Sequence, residues 1–191
     1  YPDSEITNQF CRDYNRTVDS IMLLADRIYE AKKEEACGEY FRTIRREGPS
    51  GLGGALQRIL FINQLFWQMG HRLMGLGRLD MLLHPFYEKD IRDGSLTKEE
   101  ALSLIREFLE TLHRFYWLKS NVLMGDTGQI IILGGMKDKE HYVWNDLTKL
   151  FIEAVLQLKL PDPKILLRVS VHMPRTLMEQ ALRCIATGVG S

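Results

Sequence analysis

The chain has 191 residues, 45% of them apolar and 26% charged, enough for one large domain or part of a bigger protein. Its 25 basic and 25 acidic residues cancel, which excludes the general electrostatic footprint of a nucleic-acid or anionic-membrane binder. No apolar run approaches the ~20 residues that span a bilayer, and the start, YPDSEITNQF, lacks a secretory pattern. Three widely spaced cysteines, Cys11, Cys37 and Cys184, read as free thiols of a reducing compartment. The expectation is a cytoplasmic protein that binds neither nucleic acid nor membrane.

From Glu5 to Glu47 the apolar spacing is helical, carried by Phe10, Tyr14 and Val18 and then by Ile21, Leu24 and Ile28, with a break near Lys33 to Glu35. Gly48, Pro49, Ser50 and Gly51 form a turn cluster. The next helix, Gly54 to Arg72, is apolar on more than one face, which predicts contact with two layers. Gly70, Gly75 and Gly77 then loosen the chain, and Arg78 to Arg92 reads as a helix. Pro85 removes a backbone donor inside it, so a kink or a restart is expected there. Thr97 with Glu100 is a capping box that opens a helix running from Lys98 to Trp117. Met124 to Gly128 reads as a loop.

The period changes at QIIILGG, Gln129 to Gly135. Four apolar residues, three of them β-branched, are closed by two glycines, which is the pattern of a buried strand. Asn145, or an earlier residue, starts a helix that Pro161 and Pro163 stop. A second strand follows at Ile165–Val171, then a last helix with Pro174 in its first turn. Strand, helix, strand is the crossover unit of a parallel sheet. Every other segment reads as helix or loop, so the two strands are expected to leave their edges unpaired. That exposure predicts pairing between copies of the chain, as a homodimer or an aggregate, or cover by the helix from Lys98.

Five segments in order resemble one family, the glycyl radical enzymes of the pyruvate formate-lyase-like branch. GLGRLDMLLHPFYEKDI (Gly75–Ile91) is similar to their G-R-x-D-Q-x-x-Y-P-x-Y-x-x-D helix. GQIIILGG (Gly128–Gly135) resembles their Q-N-x-T-x-G-G strand, and NDLTKLFIEA (Asn145–Ala154) their N-E-L-S-x-x-x-L-E-A helix. LKLPDPKILLRVSVH (Leu158–His172) and ALRCIATGVG (Ala181–Gly190) resemble the two segments that follow. The chain departs from that pattern at Met81, His84, Lys164 and Gly128.

The resemblance implies an α/β fold, predominantly helical in this section. It would be a partial parallel half-barrel of the family's ten-stranded α/β barrel. Residues 1–74 would be a helical region, and residues 75–191 the first strands of a half-barrel with covering helices. It also implies a parent enzyme that performs anaerobic radical C–C, C–O or C–N cleavage, or acyl transfer to coenzyme A. The family's radical glycine and catalytic cysteine lie downstream of the motifs found here. No catalytic residue is therefore expected in this chain, and the chain alone is expected to be inactive. The parent would bind a small-molecule substrate. It would need its glycyl radical installed by a partner, a radical S-adenosylmethionine activating enzyme; no bound cofactor or metal is implied for this section. The competing reading is a non-catalytic helical scaffold or interaction module.

Three residues are candidates for a substrate pocket. Gln129 carries a primary amide at the start of the central strand, able to meet a substrate or to fasten the strand end. Gly128 before it leaves space or permits a turn. Arg168 sits among apolar residues in the second strand and suits either an anion contact or an ion pair to a covering helix. Arg78 and Asp80 read as ion-paired across helices rather than as a phosphate site, because G-L-G-R lacks the full glycine-rich fingerprint. Cys184, Cys11 and Cys37 read as buried helix positions. The histidines lack zinc-ligand spacing.

Overall fold

The computed structural model describes residues 5–35, 38–46, 48–71, 73–115 and 128–188. It divides into two compact units, Tyr1–Ser50 and Gly51–Ser191. In the first, α1 (Glu5–Lys32) and α2 (Gly38–Arg46) pack against each other. The break falls where the sequence places it. Ala25 and Ile44 are buried, whereas Phe10 and Tyr14 stack on one another and stay exposed.

The second unit contains α3 (Leu52–Gln68), β1 (Met74–Arg78), α4 (Leu79–Asp93), α5 (Lys98–Phe115), β2 (Gln129–Leu133), α6 (Asp146–Leu158), β3 (Lys164–Leu167) and α7 (Arg175–Ala186). The strands form a parallel sheet in the order β1-β2-β3. Along β2, Gln129, Ile131 and Leu133 are fully buried on the face that the helices cover. On the opposite face Ile130 and Ile132 are partly buried and Leu166 is half exposed among the described residues. The core joins Leu79, Leu83, Ile105, Leu109, Leu112, Leu147, Phe151 and Leu177 from α4 to α7.

Local chemistry sets the helix ends. Thr97 and Glu100 form the expected box, Glu100 accepting from the Thr97 N–H at 2.8 Å and Thr97 Oγ1 accepting from the Glu100 N–H at 3.2 Å. Asn145 caps α6, its Oδ1 accepting from the Thr148 N–H at 3.1 Å while Thr148 Oγ1 accepts from the Asn145 N–H at 3.0 Å. Replacing Asn145 with Ala is expected to cost roughly 1–2 kcal/mol, read as a lower urea midpoint with an unchanged slope. Gly94, in the left-handed region at φ 71°, ends α4.

The structure corrects the sequence reading in four places. A third strand, β1, forms where the glycines suggest loose chain. Its Met74 N–H donates to the Gly128 carbonyl at 2.8 Å, and a register shift between Gly75 and Gly77 absorbs the irregular glycine backbone. β2 is therefore paired on both sides, and among the described residues β1 and β3 are the outer strands of the sheet. β3 stops at Leu167 rather than Val171, because β2 ends at Leu133 and offers no further partner after Arg168 N–H donates to the Leu133 carbonyl at 3.0 Å. α4 runs through Pro85 without restarting. Cys11 is exposed rather than buried. Cys184 is buried in α7, and burial raises its thiol pKa. Cys37 and the chain from Tyr116 to Thr127 lie outside the described residues.

Candidate functional site

A parallel sheet has two unlike ends, and the candidate residues divide between them. Gly128 and Gln129 lie at the N-terminal end of β2. Arg168 follows β3 at the C-terminal end. The length of β2 separates them, about 13 Å at the rise of an extended chain.

At the N-terminal end, Gly128 adopts φ 65°, the left-handed turn conformation that suits glycine. Gln129 is fully buried and points toward the helix layer. Its Oε1 accepts a hydrogen bond from Asn63 Nδ2 of α3 at 2.8 Å. Asn63 is itself 2% exposed, so the two amides clasp α3 to the start of the central strand inside the core.

The C-terminal end holds most of the polar chemistry. Asp80, in the first turn of α4, is fully buried. Its Oδ2 accepts from the Gly134 N–H at 2.7 Å and from Thr148 Oγ1 at 2.8 Å. Its backbone carbonyl accepts from Asn145 Nδ2 at 2.9 Å. One carboxylate thus ties together the start of α4, the end of β2 and the start of α6. Asp80 does not form, among the described residues, the ion pair across helices that the sequence suggests for it. The residues that bind it lie 54 to 68 positions away, and the N-x-x-T capping box was the one local signal of their neighbourhood. Arg78 contributes no ion pair among the described residues. Its Nε and Nη2 are buried without a hydrogen-bond partner, as is Asp80 Oδ1.

Around this knot, Gly134 and Gly135 carry φ of 61° and 125°. Tyr142 lies against Gly134, and its hydroxyl donates to the Arg168 carbonyl at 2.5 Å. Burial raises the Tyr142 pKa, with the nearby Asp80 charge adding to it, so the phenol keeps its proton at neutral pH. The Arg168 side chain is exposed, and no carboxylate pairs with it among the described residues. The covering-helix ion pair that the sequence offered as one reading is not formed. Ligands of open α/β sheets gather at the carboxyl ends of the strands, and Arg168 is a cation placed there. No group of three or more His, Cys, Asp or Glu residues that could hold a metal occurs among the described residues. No described helix is long and apolar enough to cross a membrane.

Known proteins resemble this chain in sequence and in fold. The glycyl radical subunit of 4-hydroxyphenylacetate decarboxylase from Clostridioides difficile is 29% identical over 61% of this chain and 14% of its own length. The (2S)-3-sulfopropanediol dehydratase of Klebsiella oxytoca is 28% identical over 63% of this chain and 15% of its own length. The chain thus spans about a seventh of the curated relatives it matches. The B12-independent glycerol dehydratase from Clostridium butyricum superposes on 91% of this chain and 23% of its own, with TM-score 0.71 and 20% identity. Its likeness identifies the three strands and their helices as part of an α/β barrel. Residues 8–191 match the sequence profile described as pyruvate formate lyase-like. The chain belongs to the pyruvate formate lyase-like family, the glycyl radical enzymes.

Proposed function

We propose that this chain is one wall of the barrel of a glycyl radical lyase or dehydratase. The family match over residues 8–191 carries the reading, supported by the parallel sheet with its helix-covered face. In the whole enzyme a cysteine thiyl radical takes a hydrogen atom from a substrate carbon, becoming the thiol and leaving a carbon radical. That carbon radical would then undergo C–C, C–O or C–N cleavage, and the product radical would take the hydrogen atom back from the thiol. In a formate acetyltransferase-like member the thiyl radical would instead add to the substrate carbonyl, expelling a carboxyl radical and leaving a thioester whose acyl group passes to the thiol of coenzyme A. The radical would arise on a glycine, installed by a radical S-adenosylmethionine activating enzyme. Arg168 would meet an anionic group of the substrate at the carboxyl end of the sheet, while Gln129, held by Asn63 in the core, would fasten the opposite end of the strand and Gly128 would permit the turn there. The names of the two curated relatives carry the same suggestion, one an arylacetate decarboxylase and the other a sulfonate dehydratase.

The 191 residues contain neither a Gly-Cys-x-Glu nor an Arg-x-x-Gly-Tyr sequence, the two motifs that the family's radical chemistry uses. Treated with an activating enzyme under anaerobic conditions, this chain should give no glycyl radical signal by electron paramagnetic resonance and no turnover. A glycyl doublet on this chain would contradict the assignment of its role. In the polypeptide that carries the whole barrel, Arg168→Gln should lower kcat/KM for an anionic substrate roughly tenfold or more. Unchanged kinetics would remove Arg168 from the pocket and favour a scaffold role for this section.

A further inference from the structure

The two glycines that close β2 make room for two different side chains. A Cβ on Gly134 would collide with the Tyr142 hydroxyl and lie 3.1 Å from Tyr142 Cζ. A Cβ on Gly135 would lie 2.8 Å from Arg168 Cδ, with Arg168 Cβ and Cγ at 3.5 and 3.7 Å. The Arg168 stem therefore lies along the Gly135 backbone, where an added methyl group would push it aside. The Arg168 main chain is held from both sides. Its N–H donates to the Leu133 carbonyl at 3.0 Å, and its carbonyl accepts from Tyr142. Tyr142 is in turn fixed by a bridge to Met136, and the next residue's N–H donates to the Gly135 carbonyl at 2.7 Å.

An exposed arginine samples many rotamers, and ordering it costs up to ~2 kcal/mol. A stem already laid on a glycine backbone loses less of that freedom on binding, so its guanidinium is pre-organised. We propose that Tyr142 is the positioning residue of Arg168. Seated in the space that Gly134 leaves open, its hydroxyl holds the Arg168 main chain so that the stem crosses Gly135. The guanidinium is thereby presented to an oxyanion at the C-terminal end of the sheet. The inference rests on the reading of Arg168 as an anion contact and goes beyond it by naming what aims the side chain.

The test uses the 191-residue chain labelled with 15N-arginine. Relaxation of the Arg168 Nε–Hε group is measured and sodium acetate is titrated, in the wild type and in Tyr142→Phe. Wild-type Arg168 should give an order parameter above about 0.6, and Tyr142→Phe should bring it below that value. The acetate midpoint should weaken about fivefold, the worth of one hydrogen bond. Unchanged backbone amides in α4 and α5 would show that the fold is intact. If Tyr142→Phe leaves both the order parameter and the midpoint at their wild-type values, the positioning role is overturned. Should that variant fail to fold, Gly135→Ala takes its place, since its methyl would meet the Arg168 stem. An unchanged order parameter there also overturns the role. If acetate moves no Arg168 signal while Tyr142→Phe still loosens the side chain, the positioning holds and the anion reading of Arg168 falls.

Discussion

Replacing Asp80 with Ala should destabilise the second unit by roughly 3–5 kcal/mol, the loss expected when a buried charged acceptor is removed and its donors stay behind. The Gly134 N–H and the Thr148 hydroxyl would each lose an acceptor at hydrogen-bond distance, in a fully buried setting. Water cannot replace the carboxylate without opening the junction of α4, β2 and α6. Asp80→Asn keeps one acceptor oxygen at the same place and should lose about half as much. Urea unfolding gives the size of both effects. Thr148→Val should cost less in the Asp80→Ala background than in the wild type, because its partner is already gone. Additive losses would show that the two groups do not act through each other.

Phe151→Ala should have a comparable effect for a different reason. Phe151 is fully buried in α6, the helix that touches α4, α5 and α7. Its ring fills the space where those helices meet, and several helices cannot all move in to close the gap. The expected loss is about 4 kcal/mol, the transfer free energy of the ring plus the cavity left behind. Thermal unfolding should shift down by roughly 10–20 °C. Phe151→Leu keeps most of the volume and should retain most of the stability. A shift of only a degree or two for Phe151→Ala would mean that α6 repacks and that the core is looser than its burial indicates.

The two effects illustrate the kinds of information the sequence carries. Phe151 belongs to a periodic apolar face, Leu147, Leu150, Phe151 and Ala154, so its burial is readable from spacing alone. Asp80 lies in a helix start whose partners are far along the chain, and no local pattern marks a carboxylate as an acceptor for them. The same division applies to the candidate pocket. Gln129 stands out as a polar residue opening an apolar strand, yet the sequence does not show that Asn63 of α3 holds its amide. Arg168 is conspicuous among apolar residues, yet its exposure depends on β3 ending one residue earlier.

The helix and strand periods, the capping box at Thr97, the parallel relation of β2 and β3, and the family are all legible in the residues. These follow from short-range sterics, from local hydrogen bonds and from ordered motifs, all contained within a few residues of one another. The tertiary structure alone decided that Met74–Arg78 is a strand. Two of its five residues are glycines, which carry no side chain to show alternation and weaken strand propensity. The segment becomes a strand because the edge of β2 offers its backbone groups partners. Packing also gives Asp80 main-chain and hydroxyl donors in place of a cation on another helix, since a buried carboxylate takes the donors that packing brings to it.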